Sequence, residues 1–111
     1  NWISENDLVG GVTFFRGPHK IPTELITATY GNDIEKLGRK CSSLGGTPLD
    51  MADCAFALPV LGSIRLALLY WVGDEDFPAE AKLLFEQTVA DSFRLDVIFA
   101  LLYDACVRLA K

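Results

Sequence analysis

The sequence predicts an α+β domain in which a small, mainly antiparallel sheet, built around residues 54–72, carries helices on one face. The apolar runs CAFALPVL (54–61) and SIRLALLYWV (63–72) have the length of strands, and Gly62 between them favours a tight antiparallel connection. Residues 32–44 and 94–111 instead repeat their apolar side chains at helical spacing. Strands followed and preceded by such segments indicate one sheet with helices packed against it.

The first thirty residues predict short elements. Ser4 is a good N-cap for one helical turn that ends at Gly10 and Gly11. VTFF (12–15) predicts a short β segment, and RGPHK (16–20) predicts a loop. IPTELITATYG (21–31) predicts a helix, because a proline lies in its first turn and a glycine follows its last residue.

The next segment predicts a helix with Asn32 as its N-cap and Gly45-Gly46 at its end. Its acids come first and its basic residues later, an order that suits the helix dipole. The side chains expected to face the core are Ile34, Leu37, Cys41 and Leu44.

The second half predicts two strands and two helices. The strand over 63–72 lacks clean alternation, so we expect both of its faces to be covered, and Pro59 is expected at an edge or a bulge. Pro78 and the helix formers after it predict a helix over 78–93. The last helix, over 94–111, is expected to bury Leu95, Ile98, Leu102, Ala105 and Leu109.

Length and charge exclude several classes of protein. The 111 residues suffice for a single domain (1–111), and the start at Asn1 rather than Met leads us to expect either a processed chain or a piece of a longer one that lacks an N-terminal segment. The net charge of −5 argues against binding to nucleic acid or to anionic lipid. No apolar run reaches the roughly 18 residues that span a bilayer.

The three cysteines, Cys41, Cys54 and Cys106, are an odd number at wide spacing. This pattern excludes a complete disulfide framework and a CxxC metal pair. Free thiols of this kind are typical of the reducing cytoplasm, where we expect the protein to reside.

The segment WVGDEDFPAE (71–80) is the most distinctive, because Asp74, Glu75 and Asp76 directly follow an apolar run. The acids would suit Ca²⁺ only if the backbone made several oxygens converge, and their spacing is not that of an EF-hand. Catalysis by two carboxylates would need one of them to be desolvated. The favoured interpretation is structural: the acids mark the end of a covered strand, precede a helix, and are anchored in the core by Phe77.

His19 is the single histidine, in a Gly-Pro loop. A histidine there can ligate a metal or a tetrapyrrole, act as a general base, or simply be satisfied within its loop. The chain carries no GxSxG, HExxH, P-loop or GxGxxG motif that would narrow this choice.

The segments quoted above resemble the bacterial and archaeal family known as domain of unknown function 3786. The resemblance extends over nearly the whole chain, and its most specific block is Trp71, Gly73, Asp74, Glu75, Asp76, Phe77 and Pro78, followed by Leu84-Phe85. The family pattern has Asp where this chain has Glu86, which weakens any role of that carboxylate as a fixed ligand.

The resemblance implies no enzymatic activity. It implies a protein of anaerobes whose relatives are joined to, or encoded near, iron–sulfur and corrinoid proteins. We therefore expect an accessory or binding domain for such redox proteins, with His19, Trp71 and Phe77 contacting a tetrapyrrole or corrinoid cofactor and the three acids orienting the loop or docking a basic partner. Two alternatives stay open: a small enzyme using the acids and His19, and a structural module that forms a homo-oligomer.

Overall fold

The computed structural model describes residues 2–111, which form one five-stranded antiparallel sheet with helices on one of its faces. The strand order is β1-β5-β4-β3-β2. The strands are β1 (Trp2–Ile3), β2 (Thr47–Pro48), β3 (Cys54–Leu61), β4 (Ile64–Trp71) and β5 (Glu80–Glu86). The predicted α+β class and the antiparallel sheet are therefore confirmed.

Five α-helices accompany the sheet: α1 (Gly11–Phe14), α2 (Glu24–Tyr30), α3 (Ile34–Ser43), α4 (Gln87–Ser92) and α5 (Leu95–Leu109). Two 3-10 turns, Glu5–Asp7 and Gly17–His19, lie on either side of α1. No helix within residues 2–111 combines the length and the hydropathy that crossing a membrane requires.

One face of the sheet forms the main core with the helices. Its strand side chains alternate with the pleat, and they are Phe56 and Leu58, then Leu66, Leu68 and Tyr70, then Ala81, Leu83 and Phe85. Helices α2, α3 and α5 bury Ile26, Leu37, Cys41, Ile98, Leu102 and Leu109 against them. Each fully buried side chain of this size stabilises the fold by about 1.5–3 kcal/mol, so this face holds the fold together.

The opposite face of the sheet carries no helix residue in its cluster. Ala55, Ala67 and Leu69 are buried there by neighbouring strand side chains and by the half-buried rings of Trp2 and Trp71. Cover by two indoles and by two leucines, Leu49 and Leu84, explains why β4 is buried from Leu66 to Tyr70 without a helix on this side. The expectation that both faces of this strand are covered is confirmed: helices cover one face, and neighbouring strand side chains and two indoles cover the other.

Several local predictions are confirmed. The β3–β4 pair is antiparallel, and its register shifts between Pro59 and Leu61, where a bulge accommodates the residue that cannot donate. Ser4 is the N-cap of the first 3-10 turn, and its backbone N–H donates to Asp7 Oδ2 at 2.9 Å, but this turn ends at Asp7, before the predicted Gly10-Gly11. The C-terminal helix also forms as predicted.

The predicted helix over 78–93 is wrong. Residues 80–86 form β5, and only 87–92 are helical. Ala81, Leu83 and Phe85 are buried at every second position, which is the strand period, although Ala, Glu, Lys and Leu favour helices by intrinsic propensity. Pairing with β4 overrides that preference.

Two further predictions need correction. Residues 12–15, predicted as a β segment, belong largely to α1, which begins after Gly10 at φ 76° and buries Phe15 at its end. The N-cap of α3 is Asp33 rather than Asn32, because the Asp33 carboxylate accepts the Lys36 backbone N–H at 3.0 Å. Asn32 is therefore left for another contact.

Candidate functional site

The acidic turn, residues 73–78, connects β4 to β5. Strand β4 ends at Trp71, one residue earlier than predicted, and Val72 is already 39% exposed. The Val72 backbone N–H donates to Asp53 Oδ2 at 2.9 Å, and Tyr70 C=O accepts the Asp53 N–H at 3.1 Å. Asp53, which directly precedes β3, thus extends the hydrogen bonding between β3 and β4 by one residue and directs the chain into the turn.

Asn32 holds the first residue of the acidic turn by two hydrogen bonds. Its Oδ1 accepts the Gly73 N–H at 2.8 Å, and its Nδ2 donates to the Gly73 C=O at 3.1 Å. Beside it, the Tyr70 hydroxyl donates to the Gly31 C=O at 2.5 Å. The connection between α2 and α3 is therefore fixed to the end of β4 through Gly31 and to the acidic turn through Asn32.

Gly73 is required by space rather than by its own φ. A Cβ at this position would lie 2.6 Å from the Ala79 backbone nitrogen and 3.0 Å from the Phe77 carbonyl oxygen. No real side chain makes such contacts with backbone atoms. The two ends of the acidic turn therefore meet at a distance that only glycine permits.

Asp74 closes the turn on itself. Its backbone N–H donates to the Phe77 C=O at 2.8 Å, while its Oδ1 accepts the N–H groups of Asp76 at 2.9 Å and Phe77 at 2.8 Å. The hydrogen bond from the Phe77 N–H, followed by that from Asp76, lowers the pKa of Asp74 below its ordinary value. Asp74 is thus an ionised structural group, whereas a general acid at neutral pH needs a raised pKa.

The remaining side chains of the turn point into water. Glu75 and Asp76 are exposed, and Phe77 is 72% exposed. The prediction that Phe77 anchors the turn in the core is wrong, because hydrogen bonds to Asp74 and Asn32 fix the turn without it. The expected helix after the acids is also absent, since β5 follows.

A groove of about 660 Å³ runs between α2 and the acidic turn. Its lining residues come from α2, from the α2–α3 connection and from the turn: Glu24, Thr27, Ala28, Gly31, Asn32, Gly73, Asp74, Phe77, Pro78 and Ala79. The groove combines apolar surface with the carboxylates of Glu24 and Asp74. Such a surface suits a segment that carries both apolar and basic groups.

His19 lies in a different setting. Its ring stacks on Phe14 with centroids 4.2 Å apart and an interplanar angle of 13°, and it meets the edge of Phe99 at 5.3 Å. The ring is half-buried at the end of the Gly17–His19 turn, and it does not line the groove beside the acidic turn. Trp71 does not line that groove either, since it packs on the open face of the sheet.

The metal-ligating side chains are dispersed. Across residues 2–111, no three or more His, Cys, Asp or Glu side chains are grouped so that they could hold a metal ion. All three thiols are free. Burial raises the pKa of the Cys41 and Cys106 thiols to about 12, so both stay protonated and neither is a ready ligand.

Sequence reasoning missed Asn32. It was expected to cap α3, but two candidate caps, Asn32 and Asp33, stand side by side in the sequence. One of them takes the cap, and the amide of the other reaches 41 positions along the chain to Gly73. The presence of two adjacent candidate N-cap residues is the feature of the sequence that indicates a second role for one of them.

Fold and site together define an α+β domain with an open-faced antiparallel sheet and a fixed acidic turn at one end of its central strand. The sequence model of the family described as Domain of unknown function (DUF3786) matches residues 1–107. The chain belongs to this family. No curated protein and no solved structure matches it significantly.

Proposed function

We propose that the chain is a non-catalytic binding domain that docks onto an iron–sulfur or corrinoid redox protein through its acidic turn. The observation that carries the proposal is the 72% exposure of Phe77 on a turn whose backbone is fixed by Asn32 and Asp74. Single exposed apolar side chains are common, but this ring is held on a turn of fixed shape and lines a groove, so it is placed to act as an anchor. The partner class comes from the family resemblance.

The contacts of the turn favour binding in two ways. Its hydrogen bonds hold the turn in one shape before a partner arrives, which reduces the entropy lost on association. Phe77 then serves as an aromatic anchor of the kind that dominates interface energies, and Glu75 and Asp76 beside it attract a basic surface. The adjoining groove gives room for a partner segment.

We also propose that His19 ligates the metal of a tetrapyrrole or corrinoid, and that Trp71 and Phe77 contact the cofactor or the protein that carries it. Support for His19 is chemical: it is the single histidine, and its ring is only half-buried. The free thiols fit the reducing cytoplasm that we propose as the location.

The docking proposal is tested by titrating the chain against a corrinoid protein loaded with hydroxocobalamin and against a ferredoxin. Phe77→Ala is expected to weaken binding by about 30-fold, as the loss of an anchor of about 2 kcal/mol does. Val9→Ala is the matched control, because Val9 is 98% exposed outside the turn. Equal affinities for the two variants would contradict the role of Phe77.

The charge contribution is tested separately with Asp76→Asn and with Asp50→Asn, which removes an exposed acid from another loop. The first is expected to slow association and to reduce its salt dependence, and the second to change neither. If both variants associate alike, the acidic turn does not steer the partner.

The cofactor proposal is tested by visible spectroscopy of the chain with hydroxocobalamin or haem. Ligation by His19 shifts the absorption bands, and both His19→Ala and His19→Phe should abolish the shift. His19→Phe keeps the stacking on Phe14 and removes only the ligand nitrogen. A band shift that persists in His19→Phe would show that His19 is not the ligand.

A further inference from the structure

Strand β5 has a free outer edge. On one side it pairs with β4 from Glu80 to Phe85, but on the other side β1 pairs only with Phe85 and Glu86. Within residues 2–111, no backbone hydrogen bond from outside the sheet reaches residues 80–84. Half of the N–H and C=O groups along this stretch therefore point away from β4 without a backbone partner, which makes the edge a template for another strand.

The space beside this edge is open. A groove of about 280 Å³ lies along it, lined by Glu5, Asn6, Phe15, Lys20, Ile21 and Thr23 and by residues 80–83 of β5. An added strand would run about 4.8 Å from β5. The groove begins where β1 leaves the sheet at Ser4, so a new strand would continue along the edge that β1 covers only at its end.

We propose that this edge binds the same edge of a second copy of the chain, in antiparallel register about a two-fold axis through Ala81. The two five-stranded sheets then join into one continuous sheet. The proposal is argued from the free edge of β5 rather than from the acidic turn, and the two surfaces share Ala79.

Charge complementarity selects this register. With the axis at Ala81, each Glu80 faces Lys82 of the second copy, so both cross-strand pairs on the open face have opposite charge. With the axis at Glu80, the two Glu80 side chains face each other, and with the axis at Lys82 the two lysines do. A two-fold axis midway between two residues would place opposite faces of the sheets together.

The helix-covered face accepts the same register. Ala81 meets Ala81 of the second copy, and Leu83 meets Ala79, so only small or apolar side chains are opposed. The pairing stops at Pro78 on one side and at β1 on the other, leaving residues 79–83 of each copy in contact. The interface is isologous, as closed two-fold dimers require.

The test is sedimentation velocity of the 111-residue chain over a concentration series. We expect a species of twice the 12.2 kDa protomer mass. Lys82→Glu should raise the dimer dissociation constant by about tenfold or more, because two opposite-charge pairs become two like-charge pairs. The double exchange Glu80→Lys with Lys82→Glu restores opposite pairs in this register and should restore the dimer.

Arg65→Glu is the control, since Arg65 is an exposed basic residue of β4 that lies outside the proposed interface, and it should leave the dimer intact. Circular dichroism of each variant verifies native folding. A chain that stays monomeric, including one that binds an extended peptide at this edge instead, overturns the proposal. A dimer that resists Lys82→Glu, or that the double exchange of a folded chain fails to restore, overturns it equally.

Discussion

The acidic turn and the Gly17–His19 turn are held in place by opposite means. In the acidic turn the polar groups face inward, because Asn32 and Asp74 bond to the backbone, and the aromatic ring of Phe77 faces water. At the other turn the aromatic contacts face inward, because His19 stacks on Phe14 and against Phe99. Polar hydrogen bonds fix the shape of the acidic turn, whereas stacking of the His19 ring fixes the other turn.

This difference determines which side chains of each turn are not needed to hold its shape. The acidic turn keeps its shape without Phe77, so the ring is free to enter another molecule. The ring of His19 packs between two phenylalanine rings, so its removal changes this packing as well as the ligation proposed for it. Variants that separate shape from surface are therefore the informative ones.

The largest expected effect comes from filling the narrow point of the acidic turn. Gly73→Ala places a Cβ against backbone atoms at 2.6–3.0 Å, and it should lower the free energy of unfolding by about 2–3 kcal/mol. Chemical denaturation measures it. Gly38→Ala is the control: its Cβ would lie 3.8 Å from the Phe56 ring, and helix propensity should stabilise the chain by up to about 1 kcal/mol.

If Gly73→Ala is as stable as the parent chain, the close approach of residues 73 and 79 does not constrain the turn.

A smaller effect is expected from Asn32→Ala. The substitution removes both hydrogen bonds to Gly73 at a solvent-exposed site, and it should cost about 1 kcal/mol in denaturation. Asn32→Asp keeps the acceptor for the Gly73 N–H but loses the donor, and it adds negative charge beside the acids. Asn32→Asp should therefore lower the free energy of unfolding by at least the contribution of one hydrogen bond. If neither variant changes stability, the hydrogen bonds of Asn32 do not hold Gly73 in place.

Two substitutions at His19 should differ in their effect on stability. His19→Phe preserves an aromatic ring between Phe14 and Phe99, and it should change stability by less than about 0.5 kcal/mol. His19→Ala removes the ring and should cost about 1 kcal/mol. Thermal unfolding of both variants measures the difference. Equal stability of the two would show that the stacking contributes nothing.

The smallest effect is local and depends on pH. Because the folded pKa of Asp74 is lowered, its contribution to stability is complete above the ordinary Asp value of about 3.9 and is lost as the pH falls through the lower folded pKa. The side-chain carboxyl ¹³C signal of Asp74, followed by NMR, should therefore titrate with a midpoint below that value. Asp74→Asn should abolish the titration, and a midpoint at or above the ordinary value would contradict the hydrogen bonding.

The sequence correctly predicted the elements in which the spacing of apolar residues and the turn residues at the ends indicate the same structure. The β3–β4 pair is signalled by Gly62 and two apolar runs, and α5 by a long apolar stripe. Strand β5 was missed because Leu84 interrupts its alternation of buried and exposed positions and its residues favour helices. The sheet, a non-local structure, decides that conflict.

The site was predictable in composition but not in geometry. The acids and Phe77 stand together in the sequence, whereas the partner of Gly73 lies 41 positions away at Asn32. The orientation of Phe77 depends on those long-range bonds, so a local reading placed the ring in the core. Likewise, nothing in the spacing of His19 shows that Phe14 and Phe99 flank it.

The most direct test of a turn fixed before binding is ¹⁵N relaxation of the free protein at the Gly73, Asp74, Asp76 and Phe77 amides. We expect order parameters near the value of about 0.85 that is typical of rigid backbone, with a marked decrease in Asn32→Ala. Values below about 0.6 in the parent chain would describe a flexible loop and would contradict it.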